Sequence, residues 1–227
     1  MNKRLEAIMA HIPQNGRGVI DVGTDHGYLP AALFQRGYSG RLIAADINAE
    51  PLSKAKRTAE SIGAEDVISL RLCDGLDGCD SSEVDTIVIA GMGGDTICGI
   101  LDRAEWCMAR EYTLILQPMT KCEILRYWLV YNEFEIISEE LVRDDRLYQI
   151  ITACFGGHQR LNDAELFTGG AALVGSDPLF PELRRKLERR FASAVDGMSE
   201  SAEIEIINRR RLYEEILTQL REMEGGR

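Results

Sequence analysis

The chain has 227 residues and a formal net charge of -11, enough length for one full α/β domain and a smaller appendage. With 45% hydrophobic and 28% charged residues it is neither disordered nor fibrous, and its acidic balance argues against indiscriminate polyanion binding while leaving room for a local basic face. No apolar run is long enough to span a bilayer, and Met1-Asn2-Lys3-Arg4-Leu5-Glu6 lacks the core of a signal peptide, so a cytoplasmic location and no membrane partner are expected.

Leu5, Ile8, Met9 and Ile12 recur at helical spacing up to Pro13, which predicts a short first helix. Strand and helix patterns then alternate. Strands are predicted over 19–22, 41–46, 67–72, 86–90 and 113–116, and helices over 28–36, 49–62, 96–103 and 121–131. Pro51 sits in the first turn of its helix and Gly63 caps its end. The apolar runs 134–142 and 147–155, joined by Arg143-Asp144-Asp145-Arg146, have no helix between them and read as an antiparallel hairpin at the sheet edge. Five β/α units followed by a hairpin is the class I methyltransferase arrangement of the Rossmann-like α/β fold. A dinucleotide dehydrogenase more often continues to a sixth parallel strand.

Strand patterning stops at Gly156-Gly157-His158, which divides the chain into a domain over 1–157 and a helical one over 158–227. Leu179, Leu183, Leu187, Phe191 and Ala194, then Ile206, Tyr213, Leu217 and Leu220, predict two antiparallel helices. They are too short for a sustained coiled coil. The six cysteines form no C-x-x-C pair and meet no histidine cluster, so no metal is expected and buried reduced thiols are.

The chemistry gathers at the ends of successive strands, where an open α/β sheet binds its ligand. The first station runs from Asp21 through Gly23 and Thr24 to Asp25, His26 and Gly27. A dinucleotide fingerprint would carry only small residues in this turn, and Asp25 would repel a pyrophosphate. The turn suits a cationic ligand, and S-adenosyl-L-methionine carries a sulfonium and an ammonium. Asp46, followed by Ile47, ends the second strand 25 residues after Asp21, near the roughly 20 residues at which an acid meets ribose hydroxyls. Asp74, with Gly75 and Leu76, follows the third strand and is placed to accept from an adenine amino group. Ala90, Gly91, Met92 and Gly93 follow the fourth. Each has a plain local use as cap or turn former; four in succession favour an adenosine-type cofactor. Gln117-Pro118-Met119 after the fifth strand reads either as a strand-ending turn or as a substrate contact.

The segments 21–30, 74–76, 89–94 and 114–119 resemble the bacterial tRNA (adenine-N1)-methyltransferases of the TrmK family, over roughly residues 3 to 155 and more weakly through the last helices. Thr24, Gly27 and Cys73 depart from that pattern by small-for-small changes. The resemblance implies methyl transfer from S-adenosyl-L-methionine to N1 of adenosine 22 in the D-arm region of tRNA; the sequence leaves the oligomeric state open between a monomer and a weak dimer. It also gives candidate catalytic residues. Asp25 would hold the methionine ammonium or face the migrating charge, His26 would orient Asp25 or the base, and Gln117 would bond the base's amino group. Lys3-Arg4, Lys54-Lys56-Arg57, the arginines between 184 and 190 and Arg209-Arg210-Arg211 are candidate RNA contacts, or solvated faces balanced by neighbouring glutamates. Other readings are a methyltransferase of another RNA or a small metabolite, a nucleotide-dependent oxidoreductase, and a non-catalytic RNA-binding module. The absence of G-x-G-x-x-G opposes the oxidoreductase, and the retention of all four acids opposes the module.

Overall fold

The computed structural model describes residues 3–198 and 203–223. A seven-stranded sheet is built from β1 (Gly18–Val22), β2 (Arg41–Asp46), β3 (Ile68–Leu72), β4 (Thr86–Gly93), β5 (Thr113–Thr120), β6 (Phe134–Arg143) and β7 (Leu147–Phe155) in the order β3-β2-β1-β4-β5-β7-β6. The first five are parallel, and β7 pairs antiparallel with both β5 and β6. The order reverses between β1 and β4, and that switch point opens a crevice at the carboxyl ends of the strands.

Both faces of the sheet are covered, which is why its central strands read as nearly continuous apolar runs rather than alternating ones. On one face Ile20, Ile87 and Leu114 pack against Ile97 and Leu101 of α4 (Gly94–Asp102) and Leu125 and Leu129 of α5 (Cys122–Tyr131). On the other, Val19, Leu42 and Ile115 meet Ile8 and Met9 of α1 (Lys3–Ala10), Leu29 and Leu33 of α2 (Tyr28–Gln35) and Ala59 of α3 (Ala49–Ser61).

β4 and β5 run further than their apolar patterns predict. Their pairing continues through Met92 opposite Pro118 and Gly93 opposite Thr120, with register shifts on either side of Met92. Gly91 takes φ +84° at the irregularity, a conformation open to glycine. The Gln117-Pro118-Met119 segment is therefore strand, not a turn: cross-strand pairing prevails over the local signal of proline.

Beyond β7 lie α6 (Asp163–Thr168) and α7 (Ala171–Val174), which carry too few residues to show a period, then α8 (Phe180–Gly197) and α9 (Ile204–Glu222). Asn162 and Glu165 form a reciprocal capping box at the start of α6. The predicted antiparallel pair of helices is present: Phe191 stacks edge-on against Tyr213, and Arg184 donates to the Met223 carbonyl. Their core of Phe180, Leu183, Leu187, Phe191, Ile216, Leu217 and Leu220 takes in Leu141 from β6. Burial of each such side chain contributes about 1.5–3 kcal/mol. Arg126 of α5, fully buried, joins this arm to the sheet. Its guanidinium donates to Glu139 Oε1 at 2.7 Å, Gln149 Oε1 at 2.7 Å and the Leu166 carbonyl at 2.9 Å. The other Glu139 oxygen accepts from the Gly170 N–H at 2.8 Å.

Candidate functional site

Two adjoining cavities open at the carboxyl edge and meet at Gly23 and Ala90. The smaller, about 220 Å³, is lined by Asp21, Thr24, Asp25, His26 and Tyr28 together with Arg4 and Leu5 of α1. The larger, about 540 Å³, is lined by Asp46, Ile47, Asn48, Asp74, Gly75, Gly91 and Met92, with Thr96, Gly99, Ile100 and Arg103 on its far wall. A still larger concavity of about 760 Å³ surrounds Arg41, Lys56, Asp66 and Ile68 at the amino ends of β2 and β3. That is the wrong end of an open sheet for its ligand.

Backbone geometry shapes the first cavity. The N–H groups of Gly23 and Thr24 donate to the Ala45 carbonyl at 2.8 and 3.0 Å, which folds the chain sharply after β1. Gly23 has φ +75°, and a Cβ there would lie 2.3 Å from the Met92 methyl. Asp25 has φ +46°, a left-handed conformation that costs a non-glycine residue about 1–2 kcal/mol. Such strain persists where the surrounding structure enforces it, commonly at functional sites. It turns the Asp25 side chain, 68% exposed, into the opening.

Asp21 is buried, and one carboxylate oxygen accepts from the Thr24 hydroxyl at 2.7 Å. Burial pushes its pKa up to about 6, and Asp46 adds to the rise, while the Thr24 hydroxyl and the charge of Arg4 oppose it. The site thus holds a carboxylate poised to gain from a cationic ligand. His26 lies flat against Tyr28, ring centres 5.0 Å apart at 3°, and its Nε2 is 3.5 Å from Asp25. That separation is at the outer limit of a hydrogen bond.

In the second cavity Asp46 Oδ1 accepts from the Asn48 N–H at 2.8 Å, leaving Oδ2 for a ligand diol. Ile47 is 61% exposed, an apolar side chain against which a flat ring can pack. Asp74 is paired with Arg103 at 2.9 Å. Acids at both ends, an apolar wall and a glycine-lined junction fit a ligand with a cationic amino-acid end and a ribosylated base.

Three sequence candidates fall outside these linings. Leu76 is buried in the core, and Gly93 serves as the cap residue of α4. Gln117 is fully buried, accepting from Arg4 Nη1 at 3.2 Å while its amide donates to the Pro118 carbonyl at 2.9 Å. Its polar atoms are used inside the protein, so it acts as a support for Arg4 rather than as a contact to an incoming base.

Arg4, read from sequence only as half of a basic pair, faces the smaller cavity instead. α1 is held there by His11, whose ring nitrogens lie 2.9 Å from Glu140 Oε2 and 3.0 Å from Thr152 Oγ1. Arg4 suits the carboxylate of an amino-acid ligand, as Asp21 and Asp25 suit its ammonium. No local signal reveals this, because its partners lie more than a hundred residues away. Among the described residues no group of three or more His, Cys, Asp or Glu side chains is placed to hold a metal ion, and no helix is long and apolar enough to cross a membrane.

Comparison with known proteins accords with this geometry. The methyltransferase-domain family matches residues 1–151. The tRNA (adenine(22)-N(1))-methyltransferase of Bacillus subtilis is 34% identical over 176 residues, 77% of this chain and 73% of that protein. The crystal structure of B. subtilis TrmK, an m1A22 tRNA methyltransferase, superposes with a TM-score of 0.83 at 27% identity, covering 96% of this chain and 98% of that one. Sp1610 of Streptococcus pneumoniae, solved in complex with S-adenosyl-L-methionine, gives a TM-score of 0.84 at 27% identity over 98% and 99% of the two chains. With the arm included in those superpositions, the chain belongs to the TrmK family of methyltransferases.

Proposed function

We infer that this chain transfers a methyl group from S-adenosyl-L-methionine to N1 of adenosine 22, in the D-arm region of tRNA, and does so in the cytoplasm. The observation that carries the reading is the pair of cavities joined at Gly23 and Ala90, acidic at the Asp21–Asp25 end and diol-accepting at Asp46, in a chain of this family.

When bound, S-adenosyl-L-methionine supplies an electrophilic methyl group on a cationic sulfur. Asp25 and Asp21 would hold its ammonium, Arg4 its carboxylate, and Asp46 its ribose hydroxyls, with Ile47 and Ile100 against the adenine. Adenine N1 has an in-plane lone pair and attacks without prior loss of a proton, so no general base is needed. The protein's contribution is alignment and electrostatics. Gly91, without a side chain and at φ +84°, leaves a thin wall through which a base edge can approach. Asp25, exposed at the mouth, favours the positive charge that moves from sulfur to ring. N1 lies on the Watson–Crick edge, so a paired target must leave its helix.

The test is methyl transfer from labelled S-adenosyl-L-methionine to transcribed tRNA, comparing A22 with an A22→G transcript. Incorporation into the first only, recovered as 1-methyladenosine, is the expected result. Incorporation into neither, with calorimetry still showing cofactor binding, would leave a methyltransferase of a different substrate.

A further inference from the structure

Tyr148, near the start of β7, is flanked by two arginines, one of which lines the smaller cavity. Arg4 places its guanidinium 5.3 Å from the centre of that ring on the cavity side of the cluster. Arg146, in the turn between β6 and β7, brings a second guanidinium to 5.8 Å from the same ring. The turn is ordered by the Asp144 N–H, which donates to the Arg146 carbonyl at 3.0 Å, and by the Tyr148 hydroxyl, which donates to Asp145 Oδ1 at 2.5 Å. β7 runs antiparallel to β5 with Ile151 opposite Leu116. Arg146 therefore lies past the carboxyl end of β5, on the edge where the cavities open.

Charge at this edge is unevenly committed. Lys121 is paired with Asp95 at 2.6 Å, Arg103 with Asp74 at 2.9 Å and Arg143 with Glu182, while Arg4 donates to neutral Gln117 and faces the smaller cavity. Arg146 is 59% exposed, and its one ion pair among the described residues, with adjacent Asp145, is 3.5 Å long. Across the opening Asp25 presents a carboxylate that repels phosphate. A strand delivering a base to this cleft meets an exposed guanidinium on the hairpin side, beside the turn's own Asp145. That side is continuous with the helical arm, through Leu141 and Leu147 packed into the arm's core and through Arg143 on Glu182 of α8.

We propose that Arg146, poised beside the Tyr148 ring, takes a backbone phosphate of the substrate RNA next to the nucleoside that enters the cleft. The ring limits the guanidinium's freedom before RNA arrives, so less is lost on binding, and a planar fork of donors suits a phosphate. The inference rests on the tRNA reading above and assigns the part of the substrate that the hairpin contacts.

The experiment uses the full chain with Arg146→Ala and Arg146→Lys, measuring KM for tRNA, kcat, cofactor affinity by calorimetry and transcript binding by anisotropy across a salt series. For Arg146→Ala we expect KM for tRNA to rise about three- to tenfold, with kcat and cofactor affinity near wild type. The slope of log affinity against log salt should become shallower by roughly one. Arg146→Lys should keep the wild-type slope, since it keeps the charge. Unchanged tRNA KM and slope in Arg146→Ala would overturn the proposal. So would a loss of cofactor affinity in place of the tRNA effect, which would mean that Arg146 acts inward through Tyr148 and Arg4. If the wild-type chain neither methylates nor binds the transcript, the tRNA reading itself fails and takes this inference with it; an active wild type indistinguishable from Arg146→Ala removes the inference alone.

Discussion

At the carboxyl edge of the sheet Asp21 is buried with a hydroxyl as its hydrogen-bond partner, Asp25 sits in a strained backbone conformation, and Asp46 keeps one oxygen open. In the helical arm several of the charges are settled locally. Arg209 meets Glu205 at 3.0 Å and Arg210 meets Glu214 at 3.0 Å, each one helical turn away, and Arg190 lies over the Phe167 and Phe191 rings. Both regions carry many ionisable residues, yet among the described residues only the first combines a buried carboxylate with a strained acidic residue. Incomplete charge and backbone strain survive where a ligand finishes the arrangement. Paired surface charge marks a helix whose stability comes from its apolar face. An arginine-rich arm is therefore a weaker pointer to RNA than its sequence suggests, since several of its arginines are already occupied.

The junction between the two regions offers the largest effect. Arg126→Ala leaves Glu139 buried without its cation and should lower stability by about 3–5 kcal/mol in denaturant unfolding. A loss below about 1 kcal/mol would show that apolar packing alone attaches the arm.

Asp21→Asn separates stability from function at the edge. With a folded-state value near 6 against about 3.9 for an unfolded chain, the native protein binds the proton more tightly. The cost of ionised Asp21 is absent below about pH 4, grows between pH 4 and 6, and is constant above, reaching about 3 kcal/mol. The variant should melt higher than wild type at pH 8, with the difference closing toward pH 4, and should bind S-adenosyl-L-methionine more weakly at neutral pH. Equal Tm values across that range would mean that the carboxylate is better solvated than its burial implies.

The smallest effect belongs to the arm's surface. Arg209→Ala and Arg210→Ala should each change stability by no more than about 0.5 kcal/mol, as exposed i,i+4 pairs do. A larger loss would show that these pairs are part of the arm's fold and would narrow the contrast with the sheet edge.

The sequence determined the alternation of strands and helices, the hairpin after the fifth β/α unit, and the acids at the ends of β1, β2 and β3. Those signals are local: a run of β-branched residues, a helical period, a glycine or an aspartate where a strand must turn. Gln117 was legible as a residue at a strand end but not as a buried support, because proline at 118 implies a turn until β4 is seen pairing beyond it. Only the tertiary structure decided which charges are free. Arg126 is by sequence one more arginine on an amphipathic helix, and becomes a core residue because Glu139 and Gln149 arrive from two other strands. Arg4 is by sequence a basic residue at a helix start, and comes to line the smaller cavity because His11 fastens that helix to β6 and β7. Secondary structure follows from the nearest few side chains. The state of a charge follows from everything within several ångströms, and that neighbourhood is assembled from residues far apart in the chain.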